Sequence, residues 1–228
     1  MKVFILATLL AAIAYAGQVQ ADVEYNCKEV AQKAGNTTYI FGFEGLVSYN
    51  SVLYERLKEH QQNLRQGKTS TFKRAGSMGF LTKIFLSKFV EKNPHGFEFF
   101  VFPEKIKNRK KPTNADQCIK EVWEATGGNA QMILLGHSFG GFEVINVATR
   151  LPGIRFDQAV TMDARAYPGQ YKYFIRTQNV RSFRNYYQLG GLPGHKIKGV
   201  DSEMKINATH VSLLKKVYNR FEADLLQK

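Results

Sequence analysis

The sequence predicts a single α/β domain, and two observations carry that prediction. First, in "QMILLGHSFGGFEVINVATR", residues 131–150, Met132, Ile133, Leu134 and Leu135 form a short continuous apolar run. Such a run suits a strand buried on both faces. From Phe142 onward Val144, Ile145, Val147, Ala148 and Leu151 recur at helical spacing, so the stretch reads as strand, tight turn, helix. Second, no Pro/Gly/Ser linker and no internal repeat divides the 228 residues, and 44% hydrophobic with 22% charged residues is an ordinary globular composition. One sizeable core is therefore expected.

The elements follow in order. "MKVFILATLLAAIAYAGQVQA" carries Lys2, an apolar stretch from Val3 to Ala14, and small residues at A-x-A spacing, so residues 1–21 read as an export signal cleaved after Ala16 or Ala21. Its apolar stretch is shorter than the ~20 residues of a spanning helix, and no later segment is long enough to span a membrane. The mature domain is 22–228. Thr38 to Phe41 is an apolar strand followed by Gly42-Phe43-Glu44-Gly45. "YERLKEHQQNLRQ" is a polar helix, and a further strand begins near Phe97. Between them "GFLTKIFLSKFVEK", 79–92, is apolar over more than one helical face. It reads as core, with a substrate-gating lid or membrane contact as the other reading. "NADQCIKEVWEA" is the helix before the strand at 131. "FDQAVTMDAR" supplies the next strand, and "YKYFIRTQNVRSFRNYYQ", 171–188, alternates aromatics with polar residues as a half-buried strand does. "SEMKIN" and the helix "VSLLKKVYNRFEADLL" complete the chain.

Ser138 sits at the strand-to-helix bend, flanked by Gly136 and Gly140 as G-x-S-x-G. The bend brings backbones close and leaves little room for Cβ atoms, and it pushes the hydroxyl out at the sheet's C-terminal edge. The N–H of Phe139 opens the helix, where unpaired donors and the dipole favour an oxyanion. A second donor is expected from the glycine-rich loop after the first strand, at the N–H of Phe43. Among the five histidines, His60 and His95 precede the serine, and His137, its neighbour, should point elsewhere. His210, on the loop opening the last helix, is the candidate base and His195 the competitor. Asp163, after the apolar end of its strand, is the candidate orienting acid; Asp201 competes, and Asp157 lies at the wrong end of that strand.

With "FGFEG" at 41–45, "GHSFGG" at 136–141, "MDA" at 162–164 and "THVSL" at 209–213, the chain resembles the α/β-hydrolase superfamily, within it the lipase and esterase branch. The resemblance implies a mostly parallel central sheet with helices on both faces, a Ser-Asp-His order, acyl-ester hydrolysis and no cofactor. Phe41 departs from the pattern, since many relatives carry His before the first oxyanion glycine.

Cys27 and Cys118 are the only cysteines, and export makes them candidates for a disulfide. No metal motif is present, so none is predicted. The formal net charge is +13, of which the signal segment carries only Lys2. Such a field favours anionic membrane or envelope surfaces. Nucleic acid is not expected, because the aromatic and arginine alternation at 171–188 reads as strand. "KIKNRKK", 105–111, reads as a solvated loop or a docking patch. Asn36 and Asn207 begin N-x-T glycosylation patterns. The reading is thus an exported, secreted or periplasmic serine hydrolase acting on acyl esters, with lipid esters among the expected substrates. A non-catalytic basic binder on the same scaffold, or an amidase or peptidase, are the alternatives. Oligomeric state is not legible.

Overall fold

The computed structural model describes residues 25–34, 37–45, 51–73, 79–103, 109–189 and 194–226; residues 1–21, read above as an export signal, Asn36 and the start of the basic run at 105–111 lie outside them. In chain order the elements are α1 (Cys27–Ala34), β1 (Thr38–Phe43), α2 (Ser51–Arg65), a π-helical turn (Leu81–Leu86) running into α3 (Ser87–Lys92) and β2 (Phe97–Phe102). Then come α4 (Asn114–Ala125), β3 (Gln131–His137), α5 (Phe139–Arg150), β4 (Phe156–Met162), β5 (Val180–Gln188), β6 (Ser202–Ile206) and α6 (Ser212–Leu226).

The six strands form one sheet in the order β2-β1-β3-β4-β5-β6, and every pairing is parallel. A parallel sheet needs both faces covered, and period-two alternation splits the buried side chains accordingly. Tyr39, Phe41 and Phe43 of β1 with Met132 and Leu134 of β3 pack with α1, α4 and α5. Ile40 of β1 with Ile133 and Leu135 of β3 face the other way, against α2, the π-helical turn, α3 and α6. The mostly parallel sheet with helices on both faces is present.

Cys27 of α1 and Cys118 of α4 are disulfide-bonded, with Cα atoms 5.3 Å apart and a sequence separation of 91. The bond ties the start of the described chain to the helix that precedes β3. It suits an oxidising, non-cytoplasmic compartment. Among the described residues no helix is long and apolar enough to cross a membrane.

The segment 79–92 is core. Leu81, Phe85, Leu86, Phe89 and Val90 are each at most 2% exposed, and Phe85 packs on Tyr218 and Phe221 of α6. Apolar residues on more than one face reflect packing on α6 and the sheet together, so the lid reading of Phe85 and Phe89 does not hold. The strand expected over 171–188 is found only at Val180–Gln188. Tyr171–Tyr173 is a 3-10 turn, where Tyr171 and Phe174 pack on the His195 ring instead of joining the sheet.

Two outcomes follow for thermal unfolding. Phe85→Ala should cost about 3–5 kcal/mol, as for other buried aromatic truncations, read as a large fall in melting temperature; a lid side chain would leave it unchanged. Reducing the Cys27–Cys118 bond removes a loop constraint worth up to about 4–5 kcal/mol in the chain-entropy model. An unchanged melting temperature in reductant would show that the bond constrains little.

Candidate active site

The C-terminal edge of the sheet is where the expected residues converge. Ser138 is the first residue after β3, and Asp163 the first after β4. Each continues the sheet by one more bond: Ser138 N–H donates to Met162 O at 3.0 Å, and Asp163 N–H to Tyr186 O at 2.6 Å. Among the described residues these two are the only non-glycines at positive φ, 59° for Ser138 and 54° for Asp163. L side chains are strained there, so the surrounding contacts must hold them.

Those contacts are close enough to require glycine. A Cβ on Gly136 would lie 2.4 Å from Gly140 O, and one on Gly140 would lie 2.0 Å from Phe43 O. A Cβ on Gly141 would lie 2.6 Å from that of Ala164. The spacing of the G-x-S-x-G motif is thus the spacing at which β3, α5 and the end of β1 touch.

His210 stands on the loop between β6 and α6, and its Nδ1 is hydrogen-bonded to Asp163 Oδ2. Asp163 is fully buried. Its other oxygen accepts the Gly194 N–H at 2.5 Å, and Arg165 donates to Oδ2 at 3.0 Å. Burial alone would raise the Asp163 carboxyl, but the His210 bond and charge and the Arg165 guanidinium outweigh it and hold the group below the usual carboxylate range. Ser138 Oγ makes no hydrogen bond to His210; what links the two is His137, the residue before the serine. The His137 ring, next to Ser138, lies 4.4 Å from the His210 ring centroid, and the two make a 3.2 Å contact from His137 Nε2 to His210 O.

His137, expected to point away from the serine, supports the His210 loop. With a proton on Nε2 it donates to His210 O. Burial, reinforced by His210, drives its pKa down to about 3, so the ring is neutral at ordinary pH. The flanking position in GHS carried no signal of this role, since it depends on a loop 73 positions away in sequence. Arg165 and Gly194 were also missed, because their contacts to Asp163 come from chain folding back over the sheet edge.

The competing residues lie elsewhere. Asp201 binds Arg176 and accepts the Phe183 N–H at 2.7 Å, before β6 begins and so at the far edge from Ser138. Asp157 accepts the Met132 N–H. The ring of His195 packs on Tyr171 at 3.7 Å, and it is the preceding residue's amide that meets Asp163. Arg109, in the basic run, donates to Asn146 Oδ1 at 3.1 Å and stacks over Tyr173.

One assignment needs correction. Phe43 is the last residue of β1, in register with Phe102 on β2 and Gly136 on β3. Since Glu44 N–H donates to Phe102 O at 3.0 Å, the preceding amide points to β3 and belongs to the sheet, so it is not free to face an oxyanion. The backbone that abuts the serine is that of Gly45: a Cβ there would lie 2.8 Å from Ser138 Cβ and 3.3 Å from Ser138 Oγ. Phe139 opens α5, where the first amides lack intrahelical partners.

The fold is thus an α/β arrangement with one parallel six-stranded sheet, with Ser138 after β3, Asp163 after β4 and His210 after β6. The chain is similar to the crystal structure of a predicted CIB-like hydrolase from Thermoplasma acidophilum, with 15% identity and a TM-score of 0.45 over 84% of this chain and 86% of that chain. No protein-family model and no curated protein sequence matches it.

Gly140→Ala should destabilise by at least about 1–3 kcal/mol, because its Cβ would meet backbone rather than a movable side chain. Gly153→Ala, where a Cβ meets nothing within 4 Å, is the control and should melt close to the unsubstituted protein.

Proposed function

We propose that the protein is an exported serine hydrolase that cleaves carboxylic esters, with Ser138 as nucleophile, His210 as base and Asp163 as orienting acid. The observation that carries the proposal is the buried Asp163 carboxylate bonded to His210 Nδ1 beside a serine held at φ 59° on a strand-to-helix turn. A serine hydroxyl is a weak nucleophile on its own and needs a positioned base.

Asp163 fixes the His210 tautomer with the proton on Nδ1, leaving Nε2 free to accept. Ser138 Oγ attacks the ester carbonyl as His210 Nε2 takes its proton, a contact that tightens only once substrate is bound. The Phe139 amide and a Gly45-loop amide hold the negative oxygen. His210 then returns the proton to the leaving alcohol, and water, activated the same way, releases the acyl group and regenerates Ser138. The excess of basic residues suits an anionic envelope or membrane surface as the working location.

A fluorophosphonate should label the protein, and Ser138→Ala should abolish labelling. Ser138→Ala and His210→Ala should each lower kcat on ester substrates by on the order of 10⁶, and Asp163→Ala by roughly 10⁴, following the subtilisin precedent. Asp201→Ala, at the far sheet edge, should stay within a few-fold. A panel of esters of rising acyl length, run beside matched amides, assigns the leaving group and chain preference. A protein that takes no label and turns over neither panel would overturn the reading.

A further inference from the structure

Glu44 is fully buried, yet it lies one residue from the backbone that touches the nucleophile. Its carboxylate accepts the Leu81 N–H at 3.0 Å on Oε2, and the Thr82 N–H and Thr82 hydroxyl, each at 2.8 Å, on Oε1. Its own N–H is bound to the end of β2, and its carbonyl lies where a Cβ on Gly140 would approach to 2.8 Å. Residues 43–45 are therefore clamped from three sides: by β2, by the start of α5 and, through this one side chain, by the start of the π-helical turn. A π-helical turn is uncommon and often accompanies a functional site. Here it presents two successive amides to the carboxylate.

Burying a carboxyl is costly, and an apolar side chain would fill the same space without that cost. The cost is offset only by what the three bonds fix in place. From this geometry we propose that Glu44 is a positioning residue for catalysis, locking Gly45 against Ser138 so that the loop amide is aimed at the oxyanion. The proposal rests on Ser138 being the nucleophile. Asp163 and His210 act on the proton relay, whereas Glu44 acts on the opposite side of the reacting carbon, through the loop.

The charge state of Glu44 gives the proposal a separate readout. Burial, only partly countered by the Thr82 and Leu81 bonds and by Lys83, the charged group acting on it, pushes its pKa from 4.5 up to about 7. A carboxyl whose pKa is raised on folding binds more protons in the folded state. Its contribution to stability is full below about 4.5 and is lost as pH rises through about 7. Gln has no such titration, so the melting-temperature difference between the native protein and Glu44→Gln should be larger at pH 5 than at pH 8.

The decisive measurement is steady-state ester hydrolysis by Glu44→Gln, Glu44→Leu and Thr82→Val, each corrected for the folded fraction. Glu44→Gln keeps the two bonds to Oε1 but turns an amide NH2, a donor, toward the Leu81 N–H. It should lower kcat about tenfold with KM within about twofold. Glu44→Leu should lose on the order of 10²–10³ in kcat, the loss typical of one oxyanion donor. Thr82→Val, which removes only the hydroxyl bond, should fall between the native protein and Glu44→Gln, and it keeps the test open if the leucine variant does not fold. Variants that melt lower but keep native kcat in the folded fraction would make Glu44 a structural residue only and overturn the proposal. Fluorophosphonate labelling separates the two possible failures. If the native protein labels at Ser138 and Glu44→Gln hydrolyses normally, the Glu44 proposal alone falls. If the native protein takes no label, the nucleophile reading falls and the Glu44 proposal with it.

Discussion

The structure depends on how closely four chain segments approach at one point of the sheet edge. Gly136 of β3, Gly140 and Gly141 of α5, Phe43 at the end of β1 and Ala164 after β4 meet at distances that admit no further Cβ. Because the contact is backbone on backbone, no side chain can relax to relieve it. Turning from β3 into α5 within one residue requires φ 59° at Ser138, and the neighbouring strand supplies the restraint through the bond to Met162 O. Strain at a functional residue persists only where the surroundings over-determine it. The same edge holds Asp163 at φ 54° through Tyr186 O. Both strained residues are thus anchored by the strand beside their own, and the hydroxyl and the carboxylate inherit the sheet's rigidity.

That rigidity comes from two cores that the sheet keeps apart. On one face α4 and α5 are joined by Arg150, which is bonded to Asp116 of α4 at 3.0 Å and to Glu143 of its own helix at 2.5 Å, all three nearly excluded from solvent. Breaking such a pair would leave a buried charge, so the pair fixes how the two helices sit rather than adding much net stability. On the other face aromatic rings dominate: Phe85 on Tyr218 and Phe221, and Phe89 on Phe97 and Phe221. The first face carries the elbow helix and the disulfide, and the second carries the π-helical turn that holds Glu44. The loop after β1 and the turn at Ser138 are therefore positioned from opposite sides of the sheet.

What the sequence disclosed was what is local. The strand, turn and helix at 131–150 rest on a short apolar run and glycines four apart, and both are visible in one window. Residues Asn114–Ala125 were likewise legible, since apolar periodicity and the capping box from Thr113 to Asp116 lie within one stretch. Asp163 could be placed from where the apolar run of its strand stops, and His210 from the loop that opens the last helix. What could not be read was contact between distant segments. Phe43 looked like a loop residue because Gly42 precedes it and Gly45 lies two positions on, yet pairing on both sides extends β1 to include it. The apolar helix at 79–92 looked able to gate a site because periodicity cannot say what covers a second apolar face; α6, some 130 positions later, covers it. His137, Arg165 and Gly194 act through partners that no local pattern announces.

Two buried carboxyls at the same sheet edge have opposite fates, and the difference explains which one can orient a histidine. Asp163 and Glu44 are both wholly removed from solvent, and both accept backbone amides. Desolvation is the leading influence on each and disfavours the charge. Asp163 has a guanidinium at 3.0 Å and an imidazole on the same oxygen, so opposite charge and direct bonding overcome desolvation and the group stays ionised. Among the described residues Glu44 is bonded by two amides and a hydroxyl, with Lys83 acting on it through its field, and burial prevails, leaving its pKa at about 7. An imidazole that must gain a proton during catalysis needs a carboxylate that is already charged beside it. In the proposed triad Asp163, held below the usual carboxylate range, meets that requirement. Glu44, bonded to main chain and to Thr82 instead, is suited to holding a loop.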